Sequence, residues 1–310
     1  MSSFEFSGSI GHLDNIESPW GNAGGVVKTV EEAALMARTG VGWIEAGSYT
    51  LEPRAGNGAH GEVVYVHDAE TGETYNALGM PNKGMDEVEK DIPEMARAAH
   101  RNHKRLVVNV APVTHQPTVE AVELVERAYR AGADAVLLNA GCPNVISAQG
   151  EHHQILSYNL TALDLTLRSL KKTVDHHRRP IFLRLSPYDS AISMQPAYQV
   201  VAMSGVVSAV FTPNTWSGQQ PTGNQLDVPG GKGGKSGPAM AAEALHQTSM
   251  AANYLRNTPI DVVSSSGIIN GRELLARLNL GAVAGCGTTF YYESMDWRRD
   301  TDELLEELAA

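Results

Sequence analysis

The stretch Val136-Leu-Leu-Asn-Ala-Gly-Cys-Pro-Asn-Val145 holds the residues best suited to chemistry. Its apolar start, residues 135–138, reads as a buried parallel strand. The run stops at Asn139, and a small-residue turn stiffened by Pro143 presents Cys142 just past the strand end. Asn139 and Asn144 place an amide on either side of the thiol. A lone cysteine at the carboxyl end of a strand is where an α/β enzyme positions a base or a nucleophile. The structural alternative is a small buried residue closing the strand, since free cysteine is among the most buried residue types. Amide side chains, however, do not fill a core without hydrogen-bond partners, and two of them flank this thiol.

Other polar and glycine residues fall at strand ends: Asn22-Ala-Gly-Gly25, Asn76 with Gly79, Arg184, and Pro213-Asn-Thr215. Asparagine both donates and accepts, so a pocket lined by it suits a planar ligand with amide or imide edges. Taken singly, each asparagine is equally a turn former. The glycine clusters point to a phosphate. Gly230-Gly-Lys-Gly-Gly-Lys-Ser-Gly237 precedes a helix, Ser264-Ser-Ser-Gly267 ends one strand, and Gly285-Cys-Gly-Thr-Thr289 ends the next. Loops of this kind leading into helix N-termini bind phosphate after the last two strands of a barrel. The first cluster lacks Walker A spacing, and a flexible linker is its other reading. Phosphate grip, amide pocket and lone cysteine together suit an enzyme using flavin mononucleotide (FMN), in which the flavin takes a hydride and the protein takes a proton.

The elements that must carry these residues alternate with a regular beat. Residues 29–38 open with a threonine N-cap and a glutamate three residues on, the capping-box pattern. Helical patterns at 86–102, 118–131, 160–176, 194–203, 239–256 and 271–278 are followed by strand patterns at 105–110, 135–138, 180–185, 206–211, 260–264 and 281–284. With strands at 41–46 and near 19–27 the count is eight, which predicts one (β/α)8 TIM barrel over residues 1–310, an open doubly wound sheet being the alternative. Two segments break the beat. Residues 51–85 contain an expected β-hairpin, 62–67 with 73–75, and residues 213–238 form a long Gly-rich loop on the same face.

Bulk properties narrow the partners. A formal charge of −11 argues against nucleic acid or an anionic membrane. The only two cysteines, Cys142 and Cys286, have no metal spacing and imply a reducing compartment. Neither a signal-peptide pattern nor an apolar run of membrane-spanning length is present, so a cytoplasmic location is expected.

The motifs Asn22-Ala-Gly-Gly25, Thr50-Leu-Glu-Pro-Arg-Ala-Gly-Asn57, Asn76-Ala-Leu-Gly-Met-Pro-Asn-Lys-Gly84, Asn139-Ala-Gly-Cys-Pro-Asn-Val145 and Gly230-Gly-Lys-Gly-Gly234 together resemble the dihydroorotate dehydrogenase family, in its soluble class 1 form. The resemblance spans nearly the whole chain. It implies oxidation of dihydroorotate to orotate, with Cys142 as the base and FMN as the hydride acceptor. Asn76, Asn139, Asn144 and Asn214 match the asparagines that hold the pyrimidine, with Thr215 beside them and Leu78, Gly79 and Met80 as the backbone along the ligand. Cofactor contacts are implied at Ala23, Gly24, Gly47, Ser48, Asn109, Asn139, Arg184, Gly233, Gly234, Ser266, Gly267, Gly287 and Thr288. Cysteine rather than serine at position 142 favours the soluble class, whose homodimeric 1A type passes electrons to fumarate.

Two positions depart from the family. A lysine near flavin and substrate is replaced by Gly47, and a second, facing the flavin from the fifth strand, by Arg184. Arginine keeps the charge that stabilises reduced flavin, though it is bulkier and forked. Glycine keeps nothing, so a raised KM relative to a Gly47→Lys variant is expected. Arg184 or Lys28 could supply the missing charge, Lys28 by reaching back toward the first motif; the other reading of Lys28 is a solvated lysine at a helix start. The loop 146–154 offers His152 and His153 in place of the family's Pro-Gly-Lys pattern. The competing functions are a related flavin enzyme for another cyclic amide or an enoyl substrate, a dihydrouridine synthase, disfavoured by the acidic charge, and a non-catalytic phosphate-binding barrel.

Overall fold

The computed structural model describes residues 6–142, 144, 154–175, 178–223 and 225–310. Eight parallel strands close into a barrel in chain order: Trp20–Asn22, Trp43–Tyr49, Arg105–Val110, Ala135–Asn139, Ile181–Arg184, Val207–Thr212, Asp261–Ser265 and Ala284–Gly287. This is the expected (β/α)8 architecture. The strands are buried along nearly their full length, as parallel strands covered on both faces must be, which is why they read as continuous apolar runs. Helices between them form the outer ring. In Met85–Arg101 the buried residues Met85, Val88, Ile92, Met95, Ala96 and Ala99 recur at helical spacing and face the strands. The capping box of Val30–Met36 is present, with Thr29 and Glu32 bonding reciprocally.

The barrel interior is packed by Trp43, Val107, Leu137, Phe182, Phe211 and Val263, with the Phe182 and Phe211 rings stacked at 5.5 Å. At its amino end an antiparallel pair, Ser9–Ile10 with Leu13–Asp14, contributes Ile10 and Leu13 to the same cluster. That plug leaves the carboxyl end as the open one.

A four-stranded antiparallel sheet covers part of that end. The expected hairpin is there, as Tyr65–Asp68 paired with Glu73–Asn76. It does not stand alone, because the Gly-rich segment supplies Gly233–Ser236 beside Glu73–Asn76 and Trp216–Gln219 beyond it. Glycine at 233 has a packing cause: a Cβ there would meet the Asn76 carbonyl oxygen at 2.4 Å. The last strand also starts later than its apolar pattern indicates. Gly281, at φ +100°, ends the preceding helix turn, and Ala284–Gly287 pairs with Trp20–Asn22 to close the barrel. Among the described residues no helix is long and apolar enough to cross a membrane.

Candidate active site

Between the strand ends and this sheet lies a cavity of about 1090 Å³, counting its open mouth. Its walls bring together residues from seven of the eight strand ends and from the covering sheet. Cys142 is half-buried beside Met80, Ala111 and Val113. Burial pushes its thiol up to about 11; the Asn144 backbone, Arg54 and Lys28 pull in the opposite direction.

The asparagines form two linked sets. Asn144 Nδ2 donates to Asn76 Oδ1 at 2.8 Å, and Asn57 Nδ2 donates to the carbonyls of Asn144 at 3.2 Å and Ala77 at 2.7 Å. Asn139 Nδ2 donates to Ser48 Oγ at 3.0 Å, and Asn214 Nδ2 reaches Asn139 Oδ1 at 3.4 Å. Thr215 follows, its N–H donating to Asn214 Oδ1 at 2.8 Å. These bonds fix which amide edges remain for a ligand. Leu78, Gly79 and Met80 also line the cavity, and Gly79 and Met80 both have left-handed backbones, at φ +71° and +57°. A left-handed methionine is strained by about 1–3 kcal/mol, a cost that clusters at ligand-binding segments. Arg54 Nε donates to the Gly79 carbonyl at 3.0 Å and helps hold that turn.

Of the expected cofactor contacts, Ala23, Gly24, Ser48, Asn139, Arg184, Ser266, Gly267, Gly287 and Thr288 line the cavity. Gly47, Asn109, Gly233 and Gly234 do not. Gly233 and Gly234 are strand residues, paired with Gln219 and Asn76 respectively, and their neighbours Ser236 and Gly237 reach the wall instead. Asn109 lies one layer below, fully buried, with Nδ2 on Glu45 Oε1 at 2.6 Å. Gly47 has φ +122°, and a Cβ would sit 2.4 Å from the Asn109 carbonyl oxygen, so this backbone does not accept a lysine without moving. Pro143, Ile146, His152 and His153 lie outside the described residues.

Sequence reading missed three features. Glu45, fully buried, holds Arg184 through Oε1 at 2.5 Å and Oε2 at 2.8 Å. Burial opposes the charge on Arg184, but the Glu45 carboxylate outweighs it and keeps the guanidinium protonated. Lys28, for which a solvated helix start was the favoured of two readings, stands in the cavity wall with Nζ on the Pro81 carbonyl at 2.7 Å. Asn22 pins its neighbouring strand, bonding both the N–H and the carbonyl of Glu45. The one signal for Glu45 was an acidic residue inside an apolar strand pattern.

Two unpaired polar atoms bear on a cofactor. Ser266 Oγ and Asn109 Oδ1 are buried with no partner among the described residues. Ser266 is left-handed at φ +68° and lines the wall beside Gly267, Gly287 and Thr288. An orphaned hydroxyl among glycines at the ends of the seventh and eighth strands fits a phosphate group.

Fold and site define a (β/α)8 barrel with a polar cavity at the carboxyl ends of its strands. Residues 10–309 match the dihydroorotate dehydrogenase family, and the chain belongs to it as an oxidoreductase. It is 24% identical over 281 residues to the catalytic subunit of dihydroorotate dehydrogenase B (NAD(+)) of Methanocaldococcus jannaschii, covering 87% of this chain and 82% of that one. It is 26% identical to the dihydroorotate dehydrogenase (quinone) of Pseudomonas putida, covering 86% of this chain and 76% of that one. The fold superposes on DHODH of Eimeria tenella, solved in complex with ferulenol, with TM-score 0.77 and 20% identity, covering 94% of this chain and 80% of that one.

Proposed function

We propose that the chain oxidises dihydroorotate to orotate as a single FMN-binding barrel unit over residues 1–310. The observation that carries this reading is the meeting of Cys142 with Asn76, Asn139, Asn144 and Asn214 in one cavity that also holds the Ser266 hydroxyl, unpaired among the described residues. Asn76, Asn139, Asn144, Asn214 and the Leu78–Gly79–Met80 backbone orient the ring by its amide edges. Cys142 Sγ, as thiolate, takes a proton from the ring carbon facing it and becomes the thiol. FMN, when bound, supplies the hydride acceptor, held by Ala23, Gly24, Ser48, Asn139, Arg184, Ser266, Gly267, Gly287 and Thr288. The covering sheet excludes water from the ring.

The cysteine at 142 supports the soluble class 1, and the family resemblance supports, within it, the cytoplasmic homodimeric 1A type that uses fumarate or another soluble acceptor. Absence of the lysine at Gly47 supports a second reading, a related enzyme for a different cyclic amide. Anaerobic mixing of the yellow protein with dihydroorotate separates the two. Bleaching of the flavin band is expected. A flavin that dithionite reduces and millimolar dihydroorotate does not would overturn the substrate and leave the second reading.

A further inference from the structure

Among the described residues the cavity walls carry two cations, Lys28 and Arg184, and no carboxylate side chain. In a chain with formal charge −11 that is a local reversal of sign. Arg184 is already matched, since both oxygens of the buried Glu45 carboxylate receive it. The charge it presents to a ligand is that of an ion pair.

Lys28 is not matched. Among the described residues its Nζ has one acceptor, the Pro81 carbonyl, which is neutral. Glu32 spends its Oε2 on the backbone N–H groups of Lys28 and Thr29, at 2.7 and 3.0 Å, within the capping box. An ammonium has three donors, so two remain for a ligand. Burial lowers the Lys28 ammonium to about 8, against Glu32 and Cys142, which favour its charge. An anionic partner in the cavity would relieve that desolvation.

We infer that Lys28 is the anion receptor of this cavity: it takes a carboxylate on the cyclic-amide substrate and selects acidic rings over neutral ones. The inference rests on the cyclic-amide reading of the site and adds to it the specificity residue. It also accounts for Gly47, because the cation enters from the start of the first helix rather than from the second strand.

The test compares orotate with uracil, two planar cyclic amides differing by one carboxylate, titrated into the flavin-loaded protein and read by calorimetry. The wild-type protein should bind orotate at least about tenfold more tightly. Lys28→Met should lose about ten- to a hundredfold in orotate affinity with uracil unchanged, and Lys28→Arg should keep most of the preference. Within the wild type, the preference should shrink as pH passes about 8, a check that needs no variant. A Lys28→Met protein with the wild-type ratio overturns the inference, as does equal weakening of both ligands. Wild type that binds neither ligand at millimolar concentration, or both alike at every pH, overturns it too. A carboxylate preference in a protein whose flavin dihydroorotate does not bleach would uphold Lys28 and reject the dihydroorotate reading.

Discussion

Cys142 and Lys28 face the same space with opposite demands on pH. A base works deprotonated, and burial holds the thiol at about 11, so flavin reduction at saturating substrate should climb about tenfold per pH unit from neutrality toward that value. An anion receptor works protonated, so KM for an acidic substrate should rise above about 8. Stopped-flow reduction across pH separates the two limbs. Cys142→Ala should retain flavin and slow reduction by about 10²–10⁴-fold; an unchanged rate would make the cysteine structural. Gly47→Lys should not improve KM, contrary to the expectation from family pattern alone. Its backbone is at φ +122° and its Cβ would meet the Asn109 carbonyl at 2.4 Å. Strain of about 1–3 kcal/mol should instead lower the melting temperature, measured by calorimetry.

At the scale of elements, the second and fifth strands are tied beneath the cavity by Glu45 and Arg184. Removing one partner of a buried pair leaves an uncompensated charge, at a cost of about 3–5 kcal/mol. Glu45→Gln should therefore lower stability sharply in urea unfolding. Glu87→Gln, which breaks the solvent-exposed pair with Lys90, should barely move it. Equal effects would show that the buried pair is not holding the two strands. The covering sheet belongs to this scale as well. Asn76 reaches the cavity only because Gly233 allows the strand behind it to approach closely.

For the whole molecule, the unpaired Ser266 hydroxyl and the glycines at the last two strand ends lead to one further expectation. The purified protein should be yellow with one FMN per chain, and stripping the flavin should lower its melting temperature. Readdition at a hundredfold over Kd should restore about 2.7 kcal/mol. Protein that stays colourless and shows no shift with FMN would reject the cofactor.

Repeated alternation of helix and strand patterns was enough to reach eight units and a closed barrel, because periodicity and caps such as Thr29 with Glu32 are set by neighbours a few residues apart. Motif residues near Cys142 were legible for the same reason. The limits appear where contacts are distant in the chain. Glu45 and Arg184 are 139 positions apart, and nothing in either local pattern states that one neutralises the other. The glycines at 230–237 have the composition of a phosphate loop, but Gly233–Ser236 becomes a strand because Glu73–Asn76 offers an edge to pair with. Lys28 looks solvated from its helix start, and only closure of the barrel beside Pro81 puts its ammonium in the cavity. Local sequence thus determined the elements and singled out Cys142 as the candidate base. Tertiary packing decided which cation is free, because pairing and desolvation depend on groups brought together by folding.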